Sequence, residues 1–135
     1  MYSIAYISRA NETLTDYEIH EMLLSSERRN NLFGIKGILL FKDGNFLQVL
    51  EGDQNQIQEL YDKICEDSRH SNIYEIFNTE LRSPIFNEYN SKFNLITSSF
   101  ELASLKMFLK RQKRYGAFNT SAEELEPFLG MNWLT

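Results

Sequence analysis

The chain has 135 residues, of which 42% are hydrophobic, and it carries a formal net charge of −5. This length suits one compact domain with a sizeable core and leaves little room for a second domain. The acidic balance argues against a nucleic-acid partner, because proteins that grip phosphate backbones usually show a basic stripe. A basic cluster late in the chain is better explained as a solvated helix end, where cations are favourable; it consists of Lys110, Arg111, Lys113 and Arg114.

Cysteine content and hydropathy limit the compartment and the chemistry. The single cysteine, Cys65, excludes an internal disulfide and a metal site built from cysteines. Its place in a helical pattern predicts a small core residue rather than a nucleophile. The sequence shows no signal peptide and no long apolar span, so we expect a cytoplasmic protein without a membrane partner.

The first elements in the chain are a strand and a helix. Residues 2–8 are apolar and rich in β-formers, which predicts a strand. Thr15 and Glu18 form a capping box, so a helix should begin there. We expect this helix to fray over residues 28–31 before Gly34 ends it.

A hairpin follows the first helix. Asp43 and Gly44 separate two β-rich runs, and an Asp-Gly pair in this position is a strong signal for a two-residue turn. The turn fixes the register between the two strands. The predicted pairs are Lys42 with Asn45, Phe41 with Phe46, Leu39 with Gln48, Gly37 with Leu50 and Lys36 with Glu51.

Both faces of this hairpin are apolar, so both should be covered by other elements. One face holds Gly37, Leu39, Phe41, Phe46, Gln48 and Leu50, and the other holds Ile38, Leu40, Leu47 and Val49. Gln48 is the exception in the first set. A buried amide without a partner costs about 1–3 kcal/mol. The pattern therefore predicts a hydrogen-bond partner for Gln48.

The rest of the chain adds one helix, two strands and two terminal helices. Asp53 is the expected N-cap of the second helix. Ser83 and Pro84 mark a break between the last two strands. The predicted ranges are a helix ending near 67–70, strands at 73–81 and 89–96, and helices at 100–114 and 121–129, the last with a capping box at Ser121 and Glu124.

This order predicts an α+β fold of the ferredoxin-like β-α-β-β-α-β type, with a fifth strand. The two C-terminal helices should cover the sheet face that the first two helices leave open. Tyr6 and Gln48 then lie on neighbouring strands and can both face the first two helices. The arrangement allows a hydrogen bond between the Tyr6 phenol and the Gln48 amide.

Three motifs in order resemble the BLUF family of flavin-binding blue-light sensors. They are residues 34–40 (GIKGILL), residues 46–52 (FLQVLEG) and residues 67–70 (DSRH). The similarity extends over residues 2–96. It implies a flavin-binding BLUF domain at residues 1–97, with residues 98–135 as the helical cap of the same domain. The implied cofactor is FAD, with FMN or riboflavin as alternatives.

The resemblance also implies roles for individual residues. Tyr6 matches the family's photoactive tyrosine, Gln48 the glutamine between that tyrosine and the flavin, and Asn30 the asparagine that binds the pyrimidine ring. The implied cofactor-binding residues are Tyr6, Met22, Arg29, Asn30, Phe46, Gln48, Lys63, Ile64, Asp67, Arg69 and His70.

These roles imply a photoreceptor rather than an enzyme. An amide has a donor end and an acceptor end, so Gln48 can change what it offers to Tyr6 and to the flavin without backbone movement. The sequence shows no nucleophile–base pair and no metal cluster. We therefore expect a sensor that signals to a separate downstream protein, or within its own homo-oligomer.

The sequence departs from the family pattern at several positions. Arg29 stands where the family has the first asparagine of a pair, which puts one flavin contact in doubt. Lys36 replaces a threonine, and we expect it to form a weak surface pair with Glu51. Tyr89 and Ser91 replace the tryptophan and methionine of the fifth strand, so signal relay is in doubt, and Tyr89 is a candidate second electron donor.

Two other classes of function remain open. One is an interaction module that has the same fold but binds no flavin. The other is a small hydrolase of the acylphosphatase kind, which shares the fold and needs an arginine-bearing phosphate loop after the first strand. Arg9 lies at that point, but the glycine-rich cradle is missing.

Overall fold

A computed structural model describes residues 1–86, 89, 92–115 and 120–129, with backbone alone for 112–115 and 120–123. In chain order, its elements are β1 (Tyr2–Ala10), α1 (Asp16–Leu32), β2 (Lys36–Lys42), β3 (Asn45–Gly52), α2 (Gln54–Glu66), β4 (His70–Glu80), β5 (Phe93–Ile96), α3 (Ser99–Tyr115) and α4 (Thr120–Leu129).

The strands form one sheet in the order β4-β1-β3-β2-β5, in which β5 runs parallel to β2 and the other neighbours are antiparallel. One sheet face packs against α1 and α2, in a core that includes Ile4, Leu50 and Ile57. The opposite face packs against α3 and α4, in a core that includes Leu105 and Leu125. The predicted ferredoxin-like fold with helices on both faces is therefore confirmed.

The predicted hairpin turn and its register are confirmed. Asp43 and Gly44 both have positive φ, at 49° and 81°, as a two-residue turn of this kind requires. The strand pairing is the one expected, including Leu39 opposite Gln48. Arg9 contacts this turn: its Nη1 donates to the carbonyl oxygen of Asp43 at 3.2 Å and to Asn45 Oδ1 at 3.3 Å. The structure thus gives Arg9 a role in the hairpin.

The first helix begins as predicted but does not fray. Thr15 Oγ1 accepts from the Glu18 backbone N–H at 3.1 Å, and Glu18 Oε1 accepts from the Thr15 N–H at 3.2 Å. The helix continues to Leu32 because its last turn is tied to β5. Asn31 Nδ2 donates to the Phe93 carbonyl oxygen at 3.3 Å, and the Phe93 N–H donates to Asn31 Oδ1 at 2.7 Å. The predicted cap at Ser121 lies outside the side chains that the structure describes.

Three further predictions were wrong in detail. β4 begins at His70 rather than at residue 73, and β5 begins at Phe93 rather than at residue 89. β5 is short because it pairs with β2 only between Gly37 and Leu40, and Tyr89 lies in a turn before it. Cys65 is exposed, not buried, because it lies in the last turn of α2, near the rim of the sheet.

Lys36 and Glu51 are opposite each other in the strand register, as expected, but Glu51 is fully buried, so they do not form a surface pair. The segment after β4 crosses this end of β3 and brings two backbone N–H groups to the carboxylate. Glu51 Oε2 accepts from the Ile85 N–H at 2.7 Å, and Oε1 accepts from the Phe86 N–H at 3.2 Å. Glu51 is therefore an internal anchor for that segment.

Gly37 is required by the close approach of β2 and β3. Its φ is +134°, and a Cβ there would lie 1.9 Å from the Val49 carbonyl oxygen, whereas a Cβ at Gly34 would meet nothing within 4 Å. We expect Gly37→Ala to lower the free energy of unfolding by about 3 kcal/mol or more. Gly34→Ala, which adds only backbone strain at φ +71°, should cost about 1–2 kcal/mol. Urea denaturation measures both, and equal losses would contradict the steric explanation.

Candidate functional site

A cavity of about 220 Å³ lies between the sheet and the two helices α1 and α2. Its walls come from both helices, from four strands and from the segment that joins α2 to β4. The lining residues are Tyr6, Met22, Leu23, Ser26, Arg29, Leu39, Phe46, Gln48, Leu60, Lys63, Ile64, Asp67, Arg69 and His70. The structure thus brings together all the cofactor-binding residues expected from the sequence except Asn30.

Tyr6 and Gln48 are directly opposite each other on β1 and β3. Both side chains are almost completely buried, and Gln48 Nε2 donates to Tyr6 Oη at 2.5 Å. This is the partner that the strand pattern required for the amide. The other end of the amide, Oε1, is buried and has no protein partner within the described residues. An acceptor in that state costs free energy until a ligand donates to it.

The surroundings of Tyr6 keep its phenol neutral. Burial raises the pKa of Tyr6 well above its ordinary value, and the hydrogen bond from Gln48 offsets only part of this. The Tyr61 ring lies 5.7 Å from the Tyr6 ring and the His70 ring lies 6.2 Å from it, measured between centroids. The motifs in the sequence indicate no site role for Tyr61, although its place on the buried face of α2 could have indicated one.

Asn30 is fully buried on α1, next to the cavity-lining Arg29. Its own side chain is not part of the cavity wall. Both polar atoms of the amide, Nδ2 and Oδ1, lack a protein partner within the described residues. A buried amide with neither end satisfied is unusual and marks a position where a ligand would stabilise the structure. The neighbouring Asn31 is already engaged by the backbone of Phe93, so it does not replace the missing asparagine of the family pair.

The segment between α2 and β4, together with the first residue of β4, lines the cavity and is held in place by its own polar contacts. Arg69 Nη2 and Asp67 Oδ2 are 2.6 Å apart, and this guanidinium holds the pKa of Asp67 below its ordinary value. His70 uses both ring nitrogens: Nε2 contacts the Ile64 carbonyl oxygen at 2.7 Å and Nδ1 contacts Ser8 Oγ at 2.8 Å. Since a carbonyl can only accept, Nε2 carries a proton. These side chains therefore fix the shape of the segment.

The cavity rim is positively charged although the chain as a whole is acidic. Arg29 and Lys63 both line the cavity and are exposed, and neither forms an ion pair within the described ranges. Arg69 is already neutralised by Asp67. Two unpaired cations at the rim of the cavity suit a ligand that carries a negative group.

The proposed relay residues are not at the cavity. Tyr89 packs on the opposite side of the sheet, with its ring 6.4 Å from the Phe86 ring and 5.0 Å from the Phe108 ring of α3. The sheet separates it from Tyr6, and among the described tyrosines it is Tyr61 that lies beside Tyr6. Ser91 lies outside the described residues.

The residues present fit a flat heteroaromatic ligand with donors and acceptors on its edge. The cavity has apolar walls at Met22, Phe46 and Ile64. Gln48 supplies an unsatisfied acceptor on one wall, and Asn30 supplies an unsatisfied amide beside the cavity. An isoalloxazine ring meets these requirements, because its pyrimidine edge carries both donors and acceptors.

The fold and the cavity together define a small-ligand sensor domain of the ferredoxin-like class, built around a buried tyrosine–glutamine pair. The model of one family, described as BLUF, sensors of blue light using FAD, matches residues 1–92. The chain belongs to the BLUF family, and a flavin is the cofactor of that family.

Relatives of this chain agree with the family assignment. It is 38% identical over 74 residues to the blue light- and temperature-regulated antirepressor BluF of Escherichia coli (strain K12), which covers 55% of this chain and 18% of that protein. The chain BlrB, a BLUF protein in its dark state, is 27% identical, with a TM-score of 0.63 and 91% of each chain covered. BlsA in its photo-activated state is 25% identical, with a TM-score of 0.63, over 99% of this chain and 98% of that one.

Among the described residues, no helix is long and apolar enough to cross a membrane, and no group of His, Cys, Asp and Glu side chains could hold a metal ion. Sequence similarity to the antirepressor is limited to a small part of that protein. The match spans less than a fifth of the length of the antirepressor.

The raised pKa of Tyr6 predicts a loss of stability at alkaline pH. Above about pH 10 the unfolded phenol ionises while the folded one keeps its proton, so the free energy of unfolding falls by about 1.4 kcal/mol per pH unit for such a group. We expect Tyr6→Phe to make this decline shallower. Urea unfolding between about pH 9 and 11.5 measures the slope. Tyr74→Phe, at a side chain 62% exposed, is the control, and equal slopes for wild type and Tyr6→Phe would contradict the assignment.

Proposed function

We propose that this domain binds a flavin in the cavity between α1 and α2 and reports blue light by changing the hydrogen bond between Tyr6 and Gln48. The observation that carries the proposal is the amide of Gln48, bonded to Tyr6 at one end and unsatisfied at the other. A flavin held in this cavity would supply the absorption of blue light and an electron acceptor for the phenol of Tyr6.

Gln48 can adopt two hydrogen-bonding patterns in the same place. In the structure its Nε2 donates to Tyr6 and leaves the acceptor Oε1 free. If the amide turns over, Oε1 accepts the Tyr6 O–H proton and Nε2 is left free to donate to the ligand edge. The free end of the amide thus changes from acceptor to donor without movement of β3. Such a pair of patterns is a two-state element that light can bias.

Tyr6 is suited to its role because its phenol is protonated and held in place. Burial keeps the pKa high, so the group loses a proton only after it has lost an electron. Gln48 is the hydrogen-bond partner of this phenol, and its Nε2 donates to Tyr6 Oη at 2.5 Å. Apolar side chains from α1, β3 and α2 line the cavity, and the two contacts of His70 hold the adjoining segment in place.

We propose that the output passes to a separate protein or to a second copy of this chain. The outer face of α3 exposes Phe100 and Met107, which are 80% and 60% exposed. These two side chains are seven residues apart and lie on one face of the helix. An apolar face of this kind supports a protein contact as the output. The domain itself is a sensor, and any enzymatic activity would belong to a partner.

The central test is an absorption spectrum of the flavin-loaded domain before and after blue light. We expect a reversible red shift in the wild type and its loss in Gln48→Ala, because the amide that exchanges patterns is gone. Loss of one hydrogen bond should weaken flavin binding by no more than about tenfold. Gln58→Ala is the control, because Gln58 is an amide of α2 that contacts Tyr2 and does not line the cavity.

A red shift that persists in Gln48→Ala would refute the proposed mechanism. A purified protein that is colourless and gains no flavin absorbance on titration would favour the interaction module without a flavin.

The charged rim predicts a preference for phosphorylated flavins. Arg29 lines the cavity, whereas Arg28 on the next position of α1 does not. We expect Arg29→Gln to weaken FMN binding about fivefold at low salt and to leave riboflavin binding unchanged. Fluorescence titration measures both dissociation constants, and Arg28→Gln is the matched control. The difference should shrink at about 1 M salt; equal effects of the two variants would count against a specific contact.

A further inference from the structure

We propose that Glu51 is the positioning residue that couples the strand of Gln48 to the helical cap, an inference that rests on the proposed light response. Glu51 takes no part in the cavity, and nothing in the mechanism at Tyr6 uses it. Its place in the fold nevertheless connects the two cores.

Glu51 and Gln48 share β3 but face opposite sides of the sheet. Gln48 faces the cavity and α2, and three residues later Glu51 points into the core beneath α3 and α4. β3 is the central strand, between β1 and β2. If a change at Gln48 displaces this strand, Glu51 therefore moves with it on the opposite face of the sheet.

The carboxylate of Glu51 holds two consecutive backbone groups of the segment after β4. Oε2 accepts from the Ile85 N–H at 2.7 Å, and the Phe86 N–H lies 3.2 Å from Oε1 and 3.3 Å from Oε2. Glu51 is fully buried, as are Phe86 and, at 1% exposed, Ile85. A buried carboxylate is costly unless such donors satisfy it. The segment must therefore follow the carboxylate when β3 moves.

Aromatic contacts continue this connection to α3. The Phe86 ring meets the Tyr89 ring edge-on at 6.4 Å, and Tyr89 packs against Phe108 of α3 at 5.0 Å. The path thus runs from β3 through one ionic anchor and three rings to the helix whose outer face is exposed. Apolar contacts alone allow the segment to shift relative to β3. The two hydrogen bonds to Glu51 are directional, so the segment moves with the carboxylate.

The fold supplies a matched control beside Glu51. Ser3 is its cross-strand partner on β1, is also fully buried, and faces the same core. Its Oγ donates to the Leu50 carbonyl oxygen at 2.9 Å, within the sheet. Ser3→Ala therefore removes a buried hydrogen bond at the same level of the sheet without touching the segment after β4.

The experiment compares wild type, Glu51→Gln, Ser3→Ala and Tyr89→Leu in the flavin-loaded full chain. Two quantities are measured for each: the light-induced red shift, and the light-minus-dark difference in hydrogen exchange of the α3 backbone, residues 99–115, by mass spectrometry. Urea midpoints in the dark record stability. We expect Glu51→Gln to keep the red shift. It should lose at least about three quarters of the exchange difference in α3, because the amide has one acceptor oxygen and an NH₂ group where the carboxylate has two acceptor oxygens.

Tyr89→Leu interrupts the same path at a later point and leaves the buried carboxylate intact. It should also keep the red shift and reduce the α3 response, which tests the path even if Glu51→Gln does not fold. Ser3→Ala should keep both the red shift and the α3 response.

A wild-type α3 response in Glu51→Gln, or in Tyr89→Leu when Glu51→Gln is unfolded, would overturn the coupling role while the light response of the cavity stands. An equal loss in Ser3→Ala would show that general destabilisation is responsible, and would overturn the role as well. Absence of a red shift in the wild type would instead overturn the proposed function on which this inference rests.

Discussion

The arrangement depends on one buried hydrogen bond, from the Gln48 amide to the Tyr6 phenol. It forms because the Asp43–Gly44 turn fixes the position of Gln48 on β3, and because β1 pairs with β3 so that Tyr6 is directly opposite. A slip of one residue would turn the amide toward the other core and leave it among hydrocarbon side chains. The strand register therefore also determines whether the tyrosine–glutamine pair can form.

The sheet divides the molecule into a face that holds the cavity and a face that holds the helical cap. Tyr6, Gln48 and the cavity belong to the first face, and Tyr89 and Phe108 belong to the second. β3 contributes side chains to both, in strict alternation. A change of hydrogen bonding in the cavity can therefore reach α3 only through the backbone of the sheet or around its edge. Glu51 lies on the first of these routes, because it belongs to β3 and binds the segment on the opposite face.

The departure from the family pattern at Arg29 and Asn31 is explained by where these two side chains lie. Asn31 forms two hydrogen bonds with the backbone of Phe93 and so satisfies backbone groups of the edge strand β5. Its side chain is therefore used within the protein. Arg29 places a cation at the cavity rim where the family has an amide. Arg9 binds the hairpin turn, so the structure offers nothing to favour the hydrolase alternative at that residue.

The sequence by itself determined the features that depend on local backbone geometry and on the periodic spacing of apolar residues along a strand or a helix. The hairpin register, the capping box at Thr15 and the ferredoxin-like order follow from turn chemistry and alternation, and motif similarity indicated ten of the fourteen residues that line the cavity. Only the tertiary structure decided the burial of Glu51, the exposure of Cys65 and the start of β5 at Phe93. These depend on which distant segment crosses a given side chain, and a long-range crossing leaves no periodic signal in the chain.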